Sequence, residues 1–124
     1  MPHELKEGIV NFTMTRGDSR TLTGAAALSG EPFNLTSCDI WFTVKYRYTD
    51  EDDDAVFQKT IGDGITVTNP TAGLITIDIN PADTEDIPKV KTILVYDLQI
   101  KNSGGSKWTA ASGNLVINPD VTHA

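Results

Sequence analysis

The chain has 124 residues, 39% of them hydrophobic and 22% charged, so it can bury roughly two-thirds of its unfolded surface and is not expected to be disordered. Its formal net charge is −7, and its ten Lys and Arg residues are scattered without a run. That balance argues against nucleic acid and anionic membrane as partners, since both need clustered basic side chains.

In chain order the polar start, Met1 to Glu7, lacks the apolar segment of a signal peptide, so cytoplasmic synthesis is expected. The run Ile9 to Thr15 alternates, with Val10, Phe12 and Met14 on one face. Arg16-Gly17-Asp18-Ser19 is a turn by composition. Arg20 to Leu28 follows, with Leu22, Ala26 and Leu28 facing one way, and Ser29 to Pro32 ends it. Asp39 to Tyr48 is the strongest strand signal. It sets Ile40, Phe42, Val44, Tyr46 and Tyr48 on one face and Trp41, Thr43, Lys45 and Arg47 on the other.

The acidic run Asp50 to Asp54 resists packing and reads as a solvated loop. A short strand, Ala55 to Thr60, precedes the tight turn Gly62-Asp63-Gly64. Ile65 to Thr68 and Leu74 to Ile79 form a hairpin around Asn69 to Gly73, with Ile75, Ile77 and Ile79 aligned. Asn80 to Asp86 carries a capping residue, then proline, then acids, and gives one helical turn that bridges two sheets. Thr92 to Lys101 points Leu94, Tyr96, Leu98 and Ile100 inward and Asp97 and Gln99 outward. After the Asn102 to Ser106 turn, Lys107 to Asn118 closes the sheet, with Gly113 marking a bulge and a tail beyond Pro119.

Seven to eight strands, one short helical turn and no crossover helices predict an all-β antiparallel sandwich, one domain over 1–124 with an ordered core of about 8–118.

Catalytic chemistry finds no foothold in this pattern. The histidines, His3 and His123, both sit at chain ends, so no Ser-His-Asp or Cys-His pairing is expected. The lone Cys38 makes no internal disulfide and reads as a small buried side chain. Asp50, Asp52 and Asp54 begin like a calcium loop, but the sixth position is Ala55 and the twelfth Ile61 where glycine and glutamate are needed. No metal, cofactor or enzyme activity is expected. Arg16-Gly17-Asp18 matches the tripeptide of integrin ligands but is read as a turn, and the acceptor patterns Asn11-Phe12-Thr13 and Asn34-Leu35-Thr36 carry no meaning without a secretory signal.

Four residues are candidate partner contacts: Trp41, Lys45 and Arg47 on the outward face of the Asp39 strand, and Trp108. The same tryptophans, with the tyrosines of that strand, would also serve a carbohydrate-binding or adhesion module, the alternative reading.

The ordered series Arg16 to Thr23, Gly30 to Thr36, Ile40 to Lys45, Asp63 to Val67, Gly73 to Ile77, Pro81 to Thr84, Val95 to Gln99 and Ala111 to Ile117, closed by Pro119 to Thr122, resembles the small immunoglobulin-like domains of tailed bacteriophages. The similarity extends to the N-terminal domain of the baseplate upper protein and related short tail and neck proteins. It implies a non-enzymatic virion protein, an adaptor or decoration module present in several symmetric copies and bound to other virion proteins. In the baseplate upper protein further segments follow this domain. Here the sequence stops at Ala124, so those segments' role is not expected of it.

Overall fold

The computed structural model describes residues 3–5, 8–28 and 31–122. Ser29 and Gly30 of one expected turn, His123, and most of the polar start lie outside the described residues. The strands are β1 (His3–Leu5), β2 (Gly8–Ile9), β3 (Phe12–Thr15), β4 (Arg20–Ala25), β5 (Ala27–Leu28), β6 (Glu31–Pro32), β7 (Asp39–Lys45), β8 (Phe57–Ile61), β9 (Gly64–Asn69) and β10 (Leu74–Ile79). The helical turn α1 (Pro81–Thr84) leads to β11 (Thr92–Lys101) and β12 (Lys107–Asn118). A further 3-10 turn, Asp52–Asp54, lies within the acidic run.

The fold is an all-β, immunoglobulin-like sandwich with one continuous ladder, ordered β1-β4-β10-β9-β8-β7-β11-β12-β2, with β3 also on β12. Its long pairings are antiparallel: β4–β10, β9–β10, β7–β8, β7–β11 and β11–β12. Only Thr60↔Gly64 and Ile61↔Ile65 join β8 to β9, where the chain curls through Gly62 and Asp63. There the ladder folds over, and the halves face each other across one core. Leu22, Ile65, Ile75, Ile77 and Ile79 from one half join Ile40, Phe42, Val44, Leu94, Tyr96, Leu98, Ile100, Leu115 and Ile117 from the other in one buried cluster. Period-two alternation puts these residues on one face of each strand, and each fully buried aliphatic or aromatic side chain contributes about 1.5–3 kcal/mol of transfer free energy.

The N-terminal segment departs from the expected tail. β1 pairs in parallel with β4 in one half, while β2 and β3 pair in parallel with β12 in the other. The N-terminal strands thus edge both halves, β1 one and β2 with β3 the other. Between β2 and β3 the chain stays on β12 through Val10 and Asn11, held by Val10 N–H on Ser112 O at 2.8 Å and by Asn114 N–H on Asn11 Oδ1 at 2.8 Å.

Three other expectations are corrected in detail. The strand beginning at Asp39 ends at Lys45, and Tyr46 and Tyr48 are 42% and 74% exposed instead of inward. The cause is the turn Arg47–Asp50, closed by Asp50 N–H on Arg47 O and by Arg47 N–H on the Asp50 carboxylate; the Asp side chain makes that turn locally competitive with the strand. Gly113 does not mark a bulge, since it pairs regularly with Tyr96 and the register shift falls between Leu98 and Gln99. Glycine is needed there because a Cβ would run into Val10 O. The segment after Pro119 is tied down, as Asp120 Oδ1 lies 3.0 Å from Arg16 Nη1.

α1 forms where its sequence signal placed it, between β10 of one half and β11 of the other. Asn80 N–H donates to Asp83 Oδ2 at 2.7 Å, and Pro81 takes the first helical position, where no donor is needed. Its trailing carbonyls are capped from outside. Arg16 Nε donates to Ile87 O at 2.8 Å, and Arg16 Nη2 donates to Glu85 O. Gly17 N–H donates to the buried Thr84 Oγ1 at 2.8 Å. The arginine of the Arg16-Gly17-Asp18 turn is a strut of the fold, with only 11% of its side chain exposed.

Candidate functional site

The outward faces of β8, β7 and β11 form a concavity of about 400 Å³. Register explains its make-up. Thr43 pairs with Gln58 on one side and Asp97 on the other, and Trp41 pairs with Gln99. By alternation these side chains point away from the core. Trp41, Tyr48 and Val95 also line the concavity, Val95 paired with Lys45 across the strands. The floor is Thr43, only 8% exposed although it faces outward, with its Oγ1 accepting from Gln58 Nε2 at 2.9 Å.

The charges in the concavity are fixed in part. Lys45 Nζ lies 2.7 Å from Asp52 Oδ1 and donates to Asp50 O at 2.9 Å. The hydrogen bond to Asp52 raises the lysine pKa, against a smaller opposing effect of burial. Burial pushes the Asp97 carboxyl above its ordinary range; the Lys45 charge opposes that shift and the Asp52 charge adds to it. Among the described residues, the Asp97 and Gln99 side chains have no hydrogen-bond partner.

Of the four expected contact residues, Trp41 and Lys45 meet in this concavity. Arg47 is exposed outside its lining, with its Nε 3.9 Å from Asp50 Oδ1. Trp108 lies elsewhere: it is half-buried, edge-on to Phe33 at 4.5 Å between ring centres, and its indole N–H is buried without an acceptor among the described residues. Sequence reasoning weighed Tyr48 only among the strand tyrosines of the alternative reading and Asp52 only in a calcium-like pattern, and it did not single out Gln58 or Lys107; all four line the concavity. The alternation of β7 and β11 could have found Gln58 and Asp97 once their pairing was known. Tyr48 could not be found that way, because its exposure comes from the Arg47–Asp50 turn.

Among the described residues no group of three or more His, Cys, Asp or Glu side chains is placed to hold a metal ion. Cys38 is buried, and burial together with Asp39 raises its thiol pKa, which keeps it a thiol and not a thiolate nucleophile. Among the described residues no helix is long and apolar enough to cross a membrane.

The chain shares its fold with a phage protein domain. The N-terminal domain of phage TP901-1 ORF48 superposes on 94% of this chain and 98% of its own length, with a TM-score of 0.53 at 9% sequence identity. At that identity the likeness speaks to fold. No family model and no curated protein sequence matches the chain.

Proposed function

We propose that the chain is a non-enzymatic structural part of a tailed-phage virion, one domain over 1–124 that docks onto tail, baseplate or neck proteins as an adaptor or decoration module. In that position it holds fibres or receptor-binding proteins on the particle. The observation that carries the reading is the near end-to-end superposition on a phage protein domain. The run of phage-type turn and strand signatures along the sequence supports it independently.

The physical features suit such a part. The sandwich is built on one core, and its outward sheet face and strand edges suit docking to other proteins. Net charge of −7 keeps it away from the packaged genome and from anionic lipid. Partners are other virion proteins, and copies follow a rotational axis of the particle, since such assemblies are built on closed symmetry. Mass spectrometry of gradient-purified particles tests the reading. The chain is expected at a fixed stoichiometry to the tail proteins; recovery only in the soluble lysate contradicts it.

A further inference from the structure

We propose that the concavity lined by Trp41 and Tyr48 is a binding site for a neutral saccharide, with one pyranose ring stacked on Trp41 and its hydroxyls hydrogen-bonded by Asp97, Gln99 and Lys107. The inference is independent of the virion reading and adds a ligand to the scaffold.

Volume sets the first limit. About 400 Å³ falls at the small end of ligand pockets, suited to one or two sugar rings. Charge sets the second. The lining holds two lysines and two aspartates, so their formal charges cancel. A strongly cationic or anionic ligand would find as much repulsion as attraction, whereas a neutral polyol finds donors and acceptors of both kinds.

The aromatic residues set the third. The indole of Trp41 and the phenol of Tyr48 in the lining bring apolar rings beside polar groups, which matches a ring with C–H faces and hydroxyl edges. Thr43 and Gln58 satisfy each other, and Lys45 is held by Asp52 and Asp50, so the floor and one side are pre-ordered. Asp97 and Gln99 carry side-chain hydrogen-bonding capacity that no described residue uses. The partly desolvated Asp97 carboxylate has lost water that ligand hydroxyls would replace.

The test is a two-dimensional NMR titration of the labelled full chain with methyl α-glucopyranoside, N-acetylglucosamine and L-rhamnose, each taken to about 50 mM, since single sugar rings are expected to bind in the millimolar range. At least one should give saturable shifts at the Trp41 indole and at the Val95 to Gln99 amides. Trp41→Ala should weaken that binding about tenfold or more. Asp97→Asn, nearly the same shape, should weaken it with an unchanged spectrum elsewhere. Arg47→Ala, outside the lining, should bind as the parent does. The proposal is overturned if none of the three sugars shifts these signals, if Trp41→Ala binds equally well, or if N-acetylarginine amide shifts them and the sugars do not. Particle content does not enter this readout, so its failure leaves the virion reading to its own test.

Discussion

Tyr96 Oη donates a hydrogen bond to the backbone carbonyl of Val10 at 2.6 Å, linking a core strand to the joint between β2 and β3 on β12. Its ring meets Phe12 edge-on at 5.3 Å and Phe42 at 5.4 Å, so one side chain ties β3, β7 and β11 together. Tyr96→Phe keeps the ring and deletes the hydroxyl. The expected loss is about 1–2 kcal/mol, read as a melting temperature lower by about 4–10 °C.

The same hydroxyl gives a pH signature. Burial pushes the Tyr96 pKa up from 10.0 to about 12. The folded state keeps this proton at a pH where the unfolded chain releases it. The contribution to stability is therefore level below about pH 10 and falls as pH rises from there towards about 12. Urea melts across that range should show the parent losing stability more steeply than Tyr96→Phe. Parallel curves would contradict the assignment.

Gly113 stands opposite Tyr96 on β12, and the space where its Cβ would be is taken by Val10 O. Gly113→Ala must push the joint between β2 and β3 off β12 and is expected to cost about 3 kcal/mol or more. Gly62→Ala is the comparison. Gly62 has φ +83 with nothing within 4 Å of a Cβ, so only backbone strain of about 1 kcal/mol is expected. Thermal melts of the two variants should rank in that order.

Lys59 is 6% exposed on β8, and its Nζ lies 2.7 Å from Asp83 Oδ2 of α1. This pair pins the helical turn to the opposite half of the sandwich. Asp83→Asn leaves a buried ammonium without its counter-charge, at an expected cost of about 3 kcal/mol. Lys59→Met with Asp83→Asn should recover a large part of that loss. A double-mutant cycle measures the coupling, expected at about 1–3 kcal/mol.

Arg16 serves Ile87 O, Glu85 O and Asp120 at once. A lysine has one compact head where arginine has a planar fork, so Arg16→Lys keeps the charge and loses most of the geometry. The expected result is faster amide hydrogen exchange at Glu85 to Ile87, with the β7–β11 amides unchanged.

Strand alternation made the core legible. Ile75, Ile77 and Ile79, and Leu94, Tyr96, Leu98 and Ile100, are buried as period two requires. The helical turn was legible because Asn80-Pro81 is a local signal. Non-local features were not. The parallel pairing of β1 with β4 and of β3 with β12 depends on contacts far apart in sequence. Lys59 reads as a solvent-facing charge until Asp83 is brought to it from 24 residues away. The candidate site divides the same way. Trp41 and Lys45 stand out on one strand, but Asp97, Gln58 and Tyr48 join them only through pairing and a turn.

Cryo-electron microscopy of the purified particle tests the central reading most directly. The reading predicts density for this sandwich in several symmetry-related copies at the tail, baseplate or neck, in contact with other virion proteins. Particles that are complete and infectious without any such density would contradict it.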